Sequence, residues 1–585
     1  MLFHSLAGLA GTNSMTELRF LLDARHLPEG TKIGLRGNVE PLSWFKSMEM
    51  KPSGTEMGKF ELIVPFQHTS DQWLEFKFVI EGKPVTFENL KDNRVVYLDQ
   101  QSQVIESVWN LQQNILALHV PTLNAYAVSQ EMDLLVDALK SLHPGLYRYR
   151  SADQMDSMIT SIKESLSGQV SYNDLFLHYS KLTAFIQCGH TFPSFFNQKA
   201  LINQLIIRSP DKIPFSFKVV EDRMLLRQSA FFTDRLKPGT EILQINQVPV
   251  SEILENVSKL IKSDGGNPYK IKADLNLWAD GSAEAFDVYF PLLYPNTKGQ
   301  FLISFQTEVG KAEEEIVVAA LTPLERKRLI ELNYPNQETQ TSRWSLSFEN
   351  DNTAYLRMST FDGFILGFDW KAYLKKTFKQ IQSKKVSTLI LDLRGNEGGQ
   401  DEIILYLGKC LNKNTMQLPV KETKTRFERV PDRFRPYIST WDTSFYDLRN
   451  QTERIDSTFY RLKQSTIQKV KPWPFAFDGK LYVLVDGSNS SASLILAEAI
   501  KDNNMGTLVG EPTGGSLKGL NSGIIFFLRL PYSKIEVDLP ILGTFAPNAP
   551  KGGLIPEIRI DQNVEDTRKG IDTQLEGLKK RLKRL

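Results

Sequence analysis

Leu481-Tyr482-Val483-Leu484-Val485-Asp486-Gly487-Ser488-Asn489-Ser490-Ser491-Ala492-Ser493 reads as a buried strand, a turn of small residues and the first turn of a helix. An unbroken apolar run of this length fits a strand covered on both faces. A serine at the start of a helix meets free N–H groups and the positive end of the helix dipole, a setting suited to the oxyanion of acyl transfer. It also suits a plain N-cap, since serine is among the best capping residues. The local sequence leaves both readings open.

Two further segments have the same design. Leu389-Ile390-Leu391-Asp392-Leu393-Arg394-Gly395-Asn396-Glu397-Gly398-Gly399 is a strand that ends in a glycine-rich turn before a helix. Gly510-Glu511-Pro512-Thr513-Gly514-Gly515 is a tight turn after a strand at 507–509. Glycines let a backbone approach a substrate closely and aim its N–H groups inward. Around these segments the pattern alternates: strand at 354–358, helix at 370–381, strand at 388–392, helix at 402–411, strand at 480–485, helix at 491–501. Such alternation predicts βαβ crossovers and a largely parallel sheet. Residues 412–475 interrupt it with charged and aromatic residues and are expected to form a lid or cap.

In order and spacing these segments resemble the core of the serine peptidase family that includes the C-terminal-processing (tail-specific) peptidases, the tricorn core and interphotoreceptor retinoid-binding protein. The matching patterns are LxLDLRxNxGG, VLVxxxxxSAS and VGEPTGG, with Gly552-Gly553-Leu554-Ile555-Pro556-Glu557-Ile558 standing at the family's GIxPD closure. Residues 237–250, KPGTEILQINQVPV, resemble half of a degenerate PDZ domain. The resemblance spans roughly residues 130–585. It implies a crotonase-like α/β peptidase core that cuts peptides or unstructured protein segments through an acyl-enzyme without a cofactor. It places the nucleophile at Ser491, and the oxyanion hole at the N–H of Ala492 with that of Gly398 or Gly399. Ser493 would be a wall residue.

A serine hydroxyl needs a base. In tail-specific peptidases a lysine follows in a TFGKG turn, but here that position is Ser516. Lys518, two residues later, is an auxiliary candidate or a solvated surface lysine. Leu494 also departs from the glutamate those enzymes place after SAS. The tricorn-like branch instead carries a histidine in a GHT motif, which Cys188-Gly189-His190-Thr191 matches. The resemblance therefore implies His190 as general base. Glu511 and Glu557 are candidates for an orienting carboxylate or for loop braces. Cys188, two residues from His190, reads as buried filler, and no HExxH or CxxC metal motif is present.

The fold class expected is multidomain α/β in four parts. Residues 16–108 read as a β-sandwich, 111–205 as a helical segment carrying the GHT motif, 206–340 as a PDZ-like domain with linker strands, and 341–585 as the peptidase core. The order GN, LSW, EFKFVI, FE and NR within 32–94 resembles a starch-binding-type carbohydrate-binding module. That resemblance implies a glycan partner, with Trp44, Trp73 and Phe87 as candidate aromatics. The alternative is a spacer without glycan affinity.

Lysine plus arginine number 70 against 68 aspartate plus glutamate, so no global field draws the chain to nucleic acid or anionic lipid. Two cysteines allow at most one disulfide. No run has transmembrane length, and residues 1–14 lack a complete signal peptide. Bacterial relatives of this architecture are usually exported, so the resemblance implies an envelope or secreted location. The partner expected is a peptide or protein substrate. The rival reading is an inactive peptidase fold that holds an apolar or peptide ligand, or a glycan-tethered binding protein.

Overall fold

The computed structural model describes residues 14–584 apart from 26, 29, 55–57, 69–71, 91–92, 99–102, 111–121, 232–234, 297, 336–342, 351, 420 and 464–468. It is a multidomain α/β protein whose chain divides into two compact units. The first comprises Met1–Thr122 with Gln198–Ser209, and the second Leu123–Asn197 with Pro210–Leu585.

In the first unit two sheets face each other. One is built on Ser14–Asp23, Lys59–His68 and Gln103–Val108, the other on Ile33–Gly37, Gln72–Ile80 and Arg94–Leu98. Their alternating apolar residues, among them Phe20, Phe66, Phe76 and Phe78, close one core. Phe45 is exposed, Phe87 is partly exposed and the Arg36 guanidinium lies 5.4 Å from its ring centre. Trp44 is half-buried, and the Trp73 side chain lies outside the described residues. The segment 198–209, expected to end the helical part at 205 and open the PDZ-like part at 206, groups with this unit instead, and its Leu201, Ile202 and Leu205–Ile207 are all buried.

The second unit opens with three helices, Ala125–Leu142, Ala152–Ser165 and Tyr172–Ile186. The expected helical start at 111 lies outside the described residues. Next comes an antiparallel sheet in the order Phe215–Val220, Arg223–Ser229, Glu241–Ile245, Gln300–Gln306 and Glu314–Ala319. The helix Val250–Ser258 follows within this sheet's connections, and beyond it residues 259–267 form a loop whose Lys262 bonds the Gly189 carbonyl at 2.8 Å.

The core sheet runs Trp344–Asn350, Thr353–Met358, Thr388–Asp392, Lys480–Val485, Thr507–Gly510 and Ile558–Arg559. All neighbours after the first pair are parallel. Period-2 alternation divides its side chains between two layers. Leu389, Leu391, Leu481, Val483 and Val485 meet the helices Trp370–Ser383, Asp401–Leu411 and Ser491–Asp502. Ile390, Tyr482 and Leu484 meet Leu578 of the C-terminal helix Thr573–Leu582. A parallel sheet buried on both faces ends all its strands at one rim, and the turns at that rim carry the candidate residues.

Residues 412–475, expected as a lid or cap, are instead stitched into small sheets. Glu422–Thr425 pairs with Gly543–Phe545, and Ile438–Ser439 pairs with Ile525–Arg529. Phe427, Val430, Phe434 and Leu448 are buried, which anchors the segment at several points.

Candidate active site

Ser491 opens its helix at φ +51°, a left-handed conformation that costs an L-residue about 1–2 kcal/mol. The surrounding serines do not cap the helix. Ser490 makes no side-chain cap bond and its hydroxyl donates to the Glu397 carbonyl at 3.2 Å. Ser493 donates to the Asn396 and Ser490 carbonyls at 2.6 and 2.9 Å. The Ser491 side chain is partly exposed and takes no part in these bonds.

The glycine turn lies directly against this serine. A Cβ on Gly398 would fall 2.8 Å from the Ala492 nitrogen and 2.9 Å from Ser491 Cβ, and Gly398 has φ +106°. Gly399, at φ +138°, has room for no side chain either, because the Phe361 carbonyl carbon would lie 2.2 Å away. Of the two glycine N–H groups, that of Gly398 already donates to Asn396 Oδ1 at 2.8 Å. Gly399 is therefore the better partner for the Ala492 N–H in an oxyanion hole. Replacing Gly398 by Ala is expected to crowd out a tetrahedral oxyanion while leaving the buried core alone. Hydrolysis should fall by about 10²-fold or more, and the thermal midpoint should fall with it, because alanine at φ +106° is strained and its Cβ meets backbone; unchanged hydrolysis would reject the assignment of this turn.

Three asparagines set this geometry: Asn396 of the LxLDLRxNxGG pattern, and Asn489 and Asn267, which sequence reading passed over. Asn396 Nδ2 donates to the Met358 carbonyl at 2.9 Å, tying the glycine turn to the neighbouring strand. Asn489 Nδ2 donates to the Leu393 and Asn396 carbonyls at 2.7 and 3.1 Å, and its own carbonyl accepts from Gly514 and Gly515. Asn267 Nδ2 donates to the Thr513 and Gly515 carbonyls, both at 2.9 Å, which joins the 259–267 loop to the third turn. Each amide is buried and satisfied, so the turns are fixed relative to one another.

His190 lies in a turn between a helix and a short strand. The helix Tyr172–Ile186 ends at Gln187 in a left-handed cap, and after His190 the strand Phe192–Pro193 pairs antiparallel with Glu536–Pro540. Gly189 N donates to Asp264 Oδ1 at 2.9 Å, and Thr191 Oγ1 lies 3.0 Å from Nε2 of the buried His143. Burial lowers the His190 pKa, with Asp264 and Glu397 opposing and Lys262 and Lys270 assisting. Glu397 is the neighbour of Gly398, so His190 and the glycine turn belong to one electrostatic cluster. His190 Nδ1 is buried without a partner, and His190 and Ser491 are not hydrogen-bonded to each other.

Asp538 is the carboxylate that sequence reading missed. It stands opposite Phe192 in the strand pair, two residues beyond His190. Its Oδ1 is buried without a partner, and burial raises its pKa to about 7 against the pull of Lys262. No turn motif marked it, because its position depends on strand pairing between segments over 300 residues apart in sequence.

The other candidates have partners of their own. Glu511 accepts from Gln562 N at 3.1 Å and Glu557 from Leu508 N at 2.8 Å, so both brace backbone. Ser516 is buried and 2.7 Å from the Tyr149 hydroxyl. Lys518 is half-buried, and its carbonyl accepts from Ala546 N at 2.9 Å. Cys188 and Cys410 are free and buried; Cys188 Sγ accepts from Asn521 Nδ2 at 3.5 Å, and burial pushes its thiol pKa up. Among the described residues, no group of three or more His, Cys, Asp or Glu is arranged to hold a metal ion. No described helix is long and apolar enough to cross a membrane.

An accessible serine at a strained strand-to-helix turn, faced by a glycine turn with a free N–H and accompanied by a half-buried histidine, is an arrangement suited to acyl transfer by a serine hydrolase. Residues 352–528, which hold the glycine turn and Ser491, match the family described as Peptidase family S41. His190 and Asp538 lie outside the matched segment. Among solved structures, mature CPAF aligns with a TM-score of 0.53 at 14 % identity, over 76 % of this chain and 94 % of that one. CPAF complexed with lactacystin aligns with a TM-score of 0.52, also at 14 % identity, over 76 % and 95 %. At that identity the likeness is one of fold. No curated protein matches the chain.

Proposed function

We propose that this chain is a serine endopeptidase acting on peptides or unstructured protein segments. Ser491 Oγ attacks the scissile carbonyl while His190 takes its proton, and the oxyanion forms against the N–H groups of Ala492 and Gly399. His190 then gives the proton to the leaving amine. Water, deprotonated by the same histidine, releases the acyl group and restores Ser491. Asp538 orients His190 and stabilises its cation; both groups carry a buried polar atom without a partner, which supports their pairing during the reaction. The observation that carries this reading is the packing of Gly398 against Ser491 and Ala492, inside a segment that matches a peptidase family.

The antiparallel sheet within 215–319 is the unit that would gate or capture substrate by strand addition. Incubation with an unfolded protein, with products read by mass spectrometry, is expected to give internal cleavages that accumulate with time. A folded preparation that leaves unfolded substrates and peptide libraries intact would reject the proposal.

A further inference from the structure

Glu397 has a position in the site that the proposed mechanism does not use. Its carbonyl is fixed by the Ser490 hydroxyl at 3.2 Å, and the next residue, Gly398, packs on Ser491. Consecutive Cα atoms are about 3.8 Å apart, so the Glu397 carboxylate is within a side chain's reach of the reacting serine. That side chain is 61 % exposed, yet it is ion-paired at 2.9 Å to Lys270, which is only 5 % exposed. Lys270 also holds Asp274 at 2.8 Å. The ammonium is thus shared between two carboxylates.

The surrounding charges extend this imbalance. Lys262 is the second cation of the cluster, and Asp264 and Asp538 are further carboxylates within its field. Two ammonium groups therefore face four carboxylates. Burial raises Asp274 to about 6 and Asp538 to about 7, so the negative excess is largest in mildly alkaline solution. The Glu397 pKa lies below the usual glutamate range, because Lys270 and Lys262 together outweigh the desolvation of the carboxylate by its neighbours.

We infer that Glu397 is a specificity-determining residue that selects a lysine or arginine side chain next to the scissile bond. The inference rests on the endopeptidase reading of Ser491. A substrate cation would meet the accessible carboxylate while Lys270 retains Asp274, so neither charge is stranded. Removing the Glu397 charge also leaves the Lys270–Asp274 pair intact, and the exposure of Glu397 makes its substitution compatible with folding.

The test uses matched fluorogenic peptides that differ only in Lys, Gln or Glu at each position flanking the cleaved bond. For the wild type, kcat/KM for the Lys peptide is expected to exceed that for Gln by at least about 10-fold at low ionic strength, falling as salt screens the pair. The ratio should approach one in Glu397→Gln, and Glu397→Lys should favour the Glu peptide. Ser491-dependent cleavage with no Lys preference in the wild type, or with a preference unchanged in both variants, would overturn the subsite alone. No Ser491-dependent cleavage of any peptide would overturn the endopeptidase reading, and the subsite with it.

Discussion

Ser491→Ala is expected to reduce peptide hydrolysis by about 10⁴-fold or more, because the acyl-enzyme route disappears and only the oxyanion donors and substrate binding remain. The protein should stay folded. The Ser491 hydroxyl takes no part in the bonds that fix the turn, and alanine experiences the same left-handed backbone, so stability should change by less than about 0.5 kcal/mol. Ser491→Gly separates strain from chemistry. Glycine adopts φ +51° without steric penalty, and that relief is partly offset by its greater freedom in the unfolded chain, giving a gain of up to about 1 kcal/mol. An inactive but slightly stabilised glycine variant is the expected outcome. Chemical denaturation beside a kinetic assay reads both quantities, and retained activity in either variant would remove Ser491 from the mechanism.

The second large effect concerns the base. His190→Gln is expected to lower kcat/KM by about 10³-fold, within the range that general-base catalysis supplies. The pH dependence has a definite sign. A base must be neutral, and burial holds the His190 pKa below 6.5, so histidine alone would keep the enzyme active into mildly acidic solution. Asp538, raised to about 7, loses its charge as pH falls through that value and with it the ability to stabilise a histidine cation. The acid limb of wild-type kcat/KM should therefore be centred near pH 7. In Asp538→Asn the plateau should drop and the limb move below 6.5, a shift that a purely structural aspartate would not cause. An acid limb unmoved in that variant would exclude Asp538 as the orienting group.

The serine and glycine turns were legible in the sequence because each is a local strand-to-helix junction with its small residues in place. Ser491, Ala492, Gly398 and Gly399 meet across adjacent parallel strands, and register alone brings those strands together. Asp538 was illegible for the opposite reason, since it reaches the His190 region through pairing of distant segments. Asn267 and Asn489 escaped notice because an amide that satisfies carbonyls of other turns looks like any loop asparagine until those turns are folded. The strand pairing of 412–475 was illegible for a related cause. Its charged and aromatic composition suggested a separate surface element, and nothing local marks that its strands Glu422–Thr425 and Ile438–Ser439 pair with distant strands at Gly543–Phe545 and Ile525–Arg529. The choice between the Gly398 and Gly399 N–H groups needed the Asn396 side chain, whose acceptor occupies the first.

The most direct test of the account is covalent labelling with a fluorophosphonate probe, followed by peptide mapping and by labelling rates in Ser491→Ala and His190→Gln. The account predicts a single adduct on Ser491, none in Ser491→Ala, and labelling slowed by about 10²-fold or more in His190→Gln. An adduct on another residue, or equal labelling of the wild type and His190→Gln, would contradict it.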